Sequence, residues 1–168
     1  MTINISGIFK ELGGKMPVEC ELDLSEVDFL GGMYEFTEPV KVSGTVSNNG
    51  KSFILRADCN AKVKTSCARC LKDIIVPVSF GVDENLIRDD GEEIVDEDVI
   101  VFEGNGFELD EIILNAFLMN VSGRYLCSED CKGLCPKCGA DLNEGECDCP
   151  EDIDPRWAGL LDIMNDEN

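Results

Sequence analysis

Hydrophobic and polar residues alternate along most of the first half of the chain. Phe53, Leu55, Ala57, Cys59, Ala61 and Val63 occupy every second position, the period of a strand with one buried face. Val40, Val42 and Val46 precede them with the same period, and Asn48-Asn49-Gly50 separates the two runs. Asn-Gly predicts a hairpin there, because both residues tolerate positive φ. Val76, Val78, Phe80 and Val82 predict a further strand; Pro77 points away from that face and suggests an edge position. Met16–Leu24 reads as an earlier strand, with Val18, Cys20, Leu22 and Leu24 in register. Residues 83–98 are acidic and weakly patterned, so they read as an exposed excursion, followed by a short strand over Val99–Phe102.

The period changes at Leu109. Leu109, Ile112, Ile113, Ala116 and Phe117 share one face of a helix predicted over Leu109–Asn120. Asp110 is its candidate N-cap, and Leu109 with Leu114 its candidate hydrophobic staple. A short C-terminal helix is also expected, with Asp154 as cap, Pro155 in the first turn, and Trp157, Leu160, Leu161 and Met164 as its apolar stripe. The expected class is α+β: an antiparallel, partly curled sheet over residues 1–102, one long packing helix, and a C-terminal Cys-rich zinc module. The expected organisation is a sheet-plus-helix domain over residues 1–122 and a metal-binding module over 123–168.

Cysteine content changes this picture most. The chain has ten cysteines and no histidine among 168 residues. Neither a secretory signal nor an apolar run of membrane-spanning length is present, so the expectation is a soluble cytoplasmic protein with no membrane partner. Reducing cytosol disfavours structural disulfides, so clustered cysteines point to metal. Without histidine, any such site is thiolate, and Ser-His-Asp and Cys-His catalysis are excluded. Eight cysteines are clustered: Cys67 and Cys70 in CARC, Cys127 and Cys131 four apart, Cys135 and Cys138 in CPKCG, and Cys147 and Cys149 in CDC. In CDC an extended backbone puts both sulfurs on one side. In CPKCG, Pro136 fixes one φ, and Gly139 suits the left-handed position after the turn.

The tidiest partition is a compact tail site of Cys135, Cys138, Cys147 and Cys149, and a second site joining Cys67 and Cys70 to Cys127 and Cys131. Two sites of four thiolates match closed structural zinc. Other pairings stay open, and thiolate ligands alone do not separate zinc from iron. A redox role for Cys67 and Cys70 competes, although nothing places that pair at a helix N-terminus; an unmetallated turn is a further reading. Cys20 and Cys59 lie on apolar strand faces and read as small buried hydrophobes. No catalytic constellation stands out, and a closed site has no open position for water, so an enzyme is not expected.

Charge is unevenly spread. The net charge is −21, with 9 basic and 10 acidic residues in positions 1–80 against 5 and 25 in positions 81–168. The acidic half suits a basic partner or simple solubility. Around CARC the balance reverses: Lys51, Arg56, Lys62, Lys64, Arg69 and Lys72 face a single acid, Asp58. Lys62, Lys64, Arg69 and Lys72 are candidate RNA-phosphate contacts, with a lysine-protected sheet edge as the competing reading.

The segments CARCL at 67–71, CSEDCKGLCPKCGADLNEGECDC at 127–149 and DPRWAGLLDI at 154–163 closely resemble the bacterial YceD family, the large ribosomal RNA subunit accumulation proteins. The resemblance implies a non-enzymatic role in 23S ribosomal RNA synthesis, processing or stability, and so in large-subunit assembly. It also implies a basic large-subunit ribosomal protein as partner. Some relatives keep only the CARC pair and counterparts of Cys127 and Cys131, which makes the sheet-to-helix site the common one. Two other classes compete: a zinc-dependent redox sensor or chaperone, and an acidic docking protein without RNA contact.

Overall fold

The computed structural model describes residues 1–91 and 99–149. The acidic stretch 92–98 and the expected helix around Asp154–Met164 lie outside the described residues.

Two long strands form the spine. β6 (Phe53–Ser66) and β7 (Asp73–Arg88) pair antiparallel from Phe53↔Leu86 to Ser66↔Asp73. The alternation in β6 is obeyed throughout, with Phe53, Leu55, Ala57, Cys59, Ala61 and Val63 all buried. β5 (Val40–Asn48) pairs with the first half of β6, and β2 (Lys15–Leu22) lies outside β5. Beyond β5 the same edge of β6 takes β4 (Gly32–Phe36), which forms a hairpin with β3 (Val27–Phe29). β8 (Ile100–Phe102) runs parallel to the end of β7 and completes a seven-stranded sheet. β1 (Thr2–Asn4) and β9 (Gly106–Glu108) form a separate two-stranded pair.

The architecture is α+β, a mostly antiparallel sheet with one α-helix among the described residues. The expected curl is not a marked feature: the sheet is not strongly curled and runs out to β2 and β3 at its ends. Three local expectations also change. Residues 83–88 are not part of an excursion but continue β7, because Leu86 is fully buried opposite Phe53 while Asp83 and Asn85 face outward. The Asn48–Gly50 hairpin forms, but as a four-residue loop between paired Asn48 and Phe53, and among its residues only Gly50 takes positive φ, +92°. Asn49 closes that loop by accepting from the amides of Lys51 and Ser52 at 2.9 and 2.8 Å. Pro77 does sit at an edge that no strand among the described residues pairs. Its cross-strand partner Lys62 uses its carbonyl to accept from the Thr37 amide at 3.0 Å on the far side, which leaves the proline nitrogen facing outward.

Helix α1 (Leu109–Asn120) buries the predicted face: Leu109, Ile112, Ile113, Ala116 and Phe117. Each large side chain there contributes about 1.5–3 kcal/mol by leaving water. Asp110 is not the N-cap. The cap is Glu108, in extended conformation with no capping side chain, because β9 runs straight into the helix. Asp110 instead pairs with the ammonium group of Met1, so the Leu109–Leu114 staple has no cap to flank.

Gly44 marks the tightest point of the sheet. A Cβ there would lie 2.2 Å from the carbonyl oxygen of Arg56 and 2.5 Å from Cα of Ala57, both backbone atoms. Gly44→Ala should therefore destabilise the fold by at least the 1–3 kcal/mol typical of overpacking. An unchanged denaturant midpoint would contradict the close β5–β6 approach described here.

Candidate metal centre

The β6–β7 connection is a tight knuckle. The Cys67 amide donates to the Lys72 carbonyl at 2.8 Å, and the Leu71 amide returns to the Cys67 carbonyl at 2.9 Å. Leu71 follows the second cysteine at φ +59°, a left-handed conformation that normally falls to glycine. The CPKCG turn repeats the design: Cys135 donates to Ala140 O at 2.8 Å, Gly139 to Cys135 O at 2.9 Å, and Gly139 has φ +73°. The sequence pointed to the left-handed glycine but not to the left-handed leucine, which carries no compositional signal.

After α1 the chain turns back toward the hairpin tip. Tyr125 O accepts from the Ala68 amide at 2.8 Å, which delivers Cys127 and Cys131 to the knuckle. Sγ of Cys67 lies 3.8 Å from that of Cys131, and Sγ of Cys70 lies 3.6 Å from that of Cys127. Cys67, Cys70, Cys127 and Cys131 have all four sulfurs within 4.8 Å of one another, and so do Cys135, Cys138, Cys147 and Cys149. A tetrahedral zinc–thiolate site with bonds of about 2.3 Å has sulfurs about 3.8 Å apart. The donor set and its spacing therefore fit a four-coordinate metal, and all ten cysteines are free thiols. The two clusters differ in exposure. Cys67, Cys70 and Cys131 are buried, whereas in the tail cluster only Cys135 is.

The backbone prepares one thiol in each cluster. Burial pushes Cys67 up, but the amides of Cys70, Arg69 and Cys127 outweigh it and bring the thiol down to about 6. The amides of Cys138 and Lys137, helped by Cys147, bring Cys135 to about 6. Cys70 receives the Lys72 amide, yet burial and the neighbouring thiols push it up to about 12. A lowered thiol is already ionised between about pH 6 and its ordinary value of 9.0, so in that window metal need not displace its proton, and the advantage is lost as pH falls through about 6. Two outcomes follow for metal-free protein. Metal uptake at about pH 7.5 should release fewer than four protons per ion, read from the buffer dependence of the binding heat, and affinity should fall as pH is lowered, more steeply below about pH 6 where the lowered thiol must also lose a proton. Release of four or more protons per ion would contradict the pre-ionised thiols.

Cys59 and Cys20 stand apart from both clusters. Cys59 is 1% exposed, and burial, then Asp58, pushes its thiol up to about 11; Cys20 is half-buried and is raised by burial.

Of the four candidate RNA cations, Lys62 and Lys64 lie in β6 before the knuckle and Arg69 and Lys72 lie within it, and each has an internal partner. Lys62 pairs with Glu38 at 2.8 Å, and Lys64 with Asp73 at 3.1 Å and Glu35 at 3.8 Å. Lys72 pairs with Asp141 at 2.8 Å and Glu144 at 3.0 Å. Arg69 donates to the Cys131 carbonyl at 2.7 Å. Sequence reading missed Asp141, Asn143 and Glu144 as knuckle partners; the only hint is their place in the loop between Cys138 and Cys147.

Comparison with known proteins settles the family. The family model described as "Large ribosomal RNA subunit accumulation protein YceD" matches residues 55–164. The chain belongs to the YceD family. The YceD match begins in β6 and takes in all eight clustered cysteines. Uncharacterized proteins of Mycobacterium bovis and Mycobacterium tuberculosis are each 29% identical to this YceD chain over 132 residues, covering 79% of it and 59% of themselves. An uncharacterized protein of Mycobacterium leprae is 25% identical over 134 residues, covering 77% of this chain and 61% of itself. The chain thus spans about three-fifths of the length of these relatives. No solved structure matches. Among the described residues, no helix is long and apolar enough to cross a membrane.

Proposed function

We propose that this protein is a non-enzymatic cytoplasmic factor that supports 23S ribosomal RNA accumulation and large-subunit assembly, with structural zinc in both cysteine clusters. Membership of a family named for large-subunit RNA accumulation carries the reading, and the two four-thiol clusters support its metal. Zinc suits closed four-thiolate sites and would serve as a crosslink between distant segments, with no coordination position left for water. On this reading Cys67, Cys70, Cys127 and Cys131 hold one ion and Cys135, Cys138, Cys147 and Cys149 another. Residues 1–122 are the sheet-plus-helix domain and 123–168 the metal module; the knuckle thiols pack as a small core of their own with Leu134. Iron is the alternative ion, and elemental analysis of freshly purified protein decides between them.

The test is genetic. Cells lacking the protein should show a lowered 23S-to-16S ribosomal RNA ratio, restored by the natural chain and not by a chain carrying Cys67→Ser and Cys70→Ser. Full restoration by the double variant would remove metal from the function, and an unchanged ratio in the deleted cells would remove the function itself.

Contact with RNA is assigned to Lys62, Lys64, Arg69 and Lys72. Exposed ion pairs are worth little, about 0–1 kcal/mol each, so phosphates can displace those carboxylates. Reversing the four charges should abolish salt-dependent binding to a 23S fragment; no binding by the natural chain at low salt would sink this contact. The pairing of Lys62, Lys64 and Lys72 with acids favours a second reading, in which the acidic half docks a basic ribosomal protein and RNA is not touched. Capture of ribosomal proteins that survives nuclease treatment would support docking, and its loss on nuclease treatment would support RNA contact.

A further inference from the structure

The loop that joins the two halves of the tail cluster folds back onto the knuckle cluster. Oδ1 of Asp141 accepts from the backbone amide of Asn143 at 2.9 Å and from its Nδ2 at 2.7 Å, which orients the Asn143 side chain. Oδ1 of Asn143 accepts from the Lys132 amide at 2.8 Å. Nδ2 of Asn143 lies 3.5 Å from Sγ of Cys131, a thiol of the other cluster. The backbone joins the same layers. Leu142 donates to Gly133 O at 2.9 Å, and Leu134 donates to Arg69 O at 3.2 Å inside the CARC turn. Gly133, at φ +79°, lets this approach happen, since a Cβ there would sit 3.1 Å from the Arg69 carbonyl oxygen. Lys72 closes the far side by gripping Asp141 and Glu144.

We propose that Asn143 couples the two thiolate clusters: it belongs to the loop of the tail cluster yet donates to a thiolate of the knuckle cluster, so metal held by the tail raises the knuckle's affinity for metal. The inference rests on the reading that both clusters hold metal. Four thiolates around a divalent ion leave a net charge of about −2, and an amide donor to one sulfur offsets part of it while fixing the direction of that ligand. Asn143 is thus a positioning residue and not a ligand. The loop is closed at its ends by Cys138 and Cys147, so metal held there would restrain the donor beyond what its Asp141 and Lys132 contacts achieve. Coupling of two binding equilibria is reciprocal, so the knuckle supports the tail by the same factor. The more exposed tail cluster is the one from which a competitor withdraws metal first.

The test uses the full, zinc-loaded chain. Rising chelator strips the metal, and each cysteine that becomes free is alkylated and mapped. Cys147→Ser with Cys149→Ser opens the tail; Asn143→Asp keeps the acceptor for Lys132 but has no N–H to give Cys131. Each change should lower, by about tenfold, the chelator concentration at which Cys67, Cys70 and Cys131 become labelled. Combined, they should do no more than either alone, because both remove one contact. Asn143→Ala, which adds no charge, should give the same shift if the lost donor is the cause. Cys70→Ser should in turn release the tail cysteines at about tenfold less chelator. Far-ultraviolet circular dichroism shows that the sheet survives in each variant. Knuckle labelling that moves by less than about twofold in the tail-opened chain overturns the coupling and leaves the metal reading intact. A natural chain that holds zinc at neither cluster overturns both.

Discussion

Removing metal from the full chain, or replacing Cys67 by serine, is expected to release residues 123–149 from the hairpin tip while the sheet stays folded. The reasons are geometric. Apart from the helix end, this segment is fastened to the sheet by the Tyr125–Ala68, Leu134–Arg69 and Arg69–Cys131 hydrogen bonds, by a few ion pairs, and by the four thiols Cys67, Cys70, Cys127 and Cys131. The apolar part of its anchorage is small: Cys67, Cys70 and Cys131 with Leu134, and Tyr125 against Tyr34 at the edge of the main core. Structural zinc contributes on the order of 10–16 kcal/mol in small zinc modules, and here that free energy would be spent mainly on ordering this segment. The main core has its own inventory of buried aliphatic and aromatic side chains and does not use the clusters. Amide hydrogen exchange distinguishes the two regions. With chelator, protection should fall toward that of free chain across 123–149 and at the 66–73 tip, while β5 and the central part of β6 keep theirs. Protection of 123–149 that persists without metal would mean that hydrogen bonds alone hold the module.

Phe117→Ala should be the most damaging single change in the core. Phe117 is fully buried, and its ring lies 4.9 Å from that of Phe36, 5.8 Å from Phe80 and 5.9 Å from Tyr34. It therefore fastens α1 to β4 and β7 together. Truncation leaves a cavity and removes these ring contacts, a loss of about 3–5 kcal/mol. For a chain of this size that lowers the thermal midpoint by roughly 10 °C. Tyr34 also donates to the Ser122 carbonyl at 3.1 Å, just past the helix end, so the same cavity loosens the start of the path to Cys127. Phe117→Leu keeps most of the volume and should cost far less, about 1.5 kcal/mol or under. A Phe117→Ala chain that melts within a degree or two of the natural one would show that α1 does not pack as described.

How much of this was legible beforehand depended on the range of the interaction. Burial on one face of a strand imposes a period of two, and burial on one face of a helix imposes 3.6, so β2, β5, β6, β7 and α1 were readable from side chains alone. Elements of three residues carry too few positions for either period. That is why β1, β3 and β9 went unseen, while β8 showed only as the apolar run Val99–Phe102, and β4, with Gly32 and Met33 opening it, had little pattern to show. Asp110 misled because capping depends on where the chain comes from: β9 enters the helix without a loop, and the N-terminal ammonium takes the carboxylate. Residues 83–88 misled because their outward acids masked a continued alternation around Leu86.

The same division runs through the site. The chemistry was legible in composition and spacing: ten cysteines without a histidine restrict any transition-metal centre to thiolates, and the C-x2-C turns place two sulfurs together through local backbone geometry. Spacing favoured one partition of the cysteine pairs and left others open; tertiary structure brings Cys67 and Cys70 to Cys127 and Cys131. Cys67 and Cys131 are 64 positions apart, and only the length of the β6–β7 hairpin and the direction in which α1 ends bring them to 3.8 Å. It likewise decided that Lys72 faces Asp141 and that Asn143 reaches Cys131, contacts between segments with no shared period or motif. Local spacing is set by covalent geometry, which a sequence carries in full; a meeting of distant segments is set by the packing of everything between them.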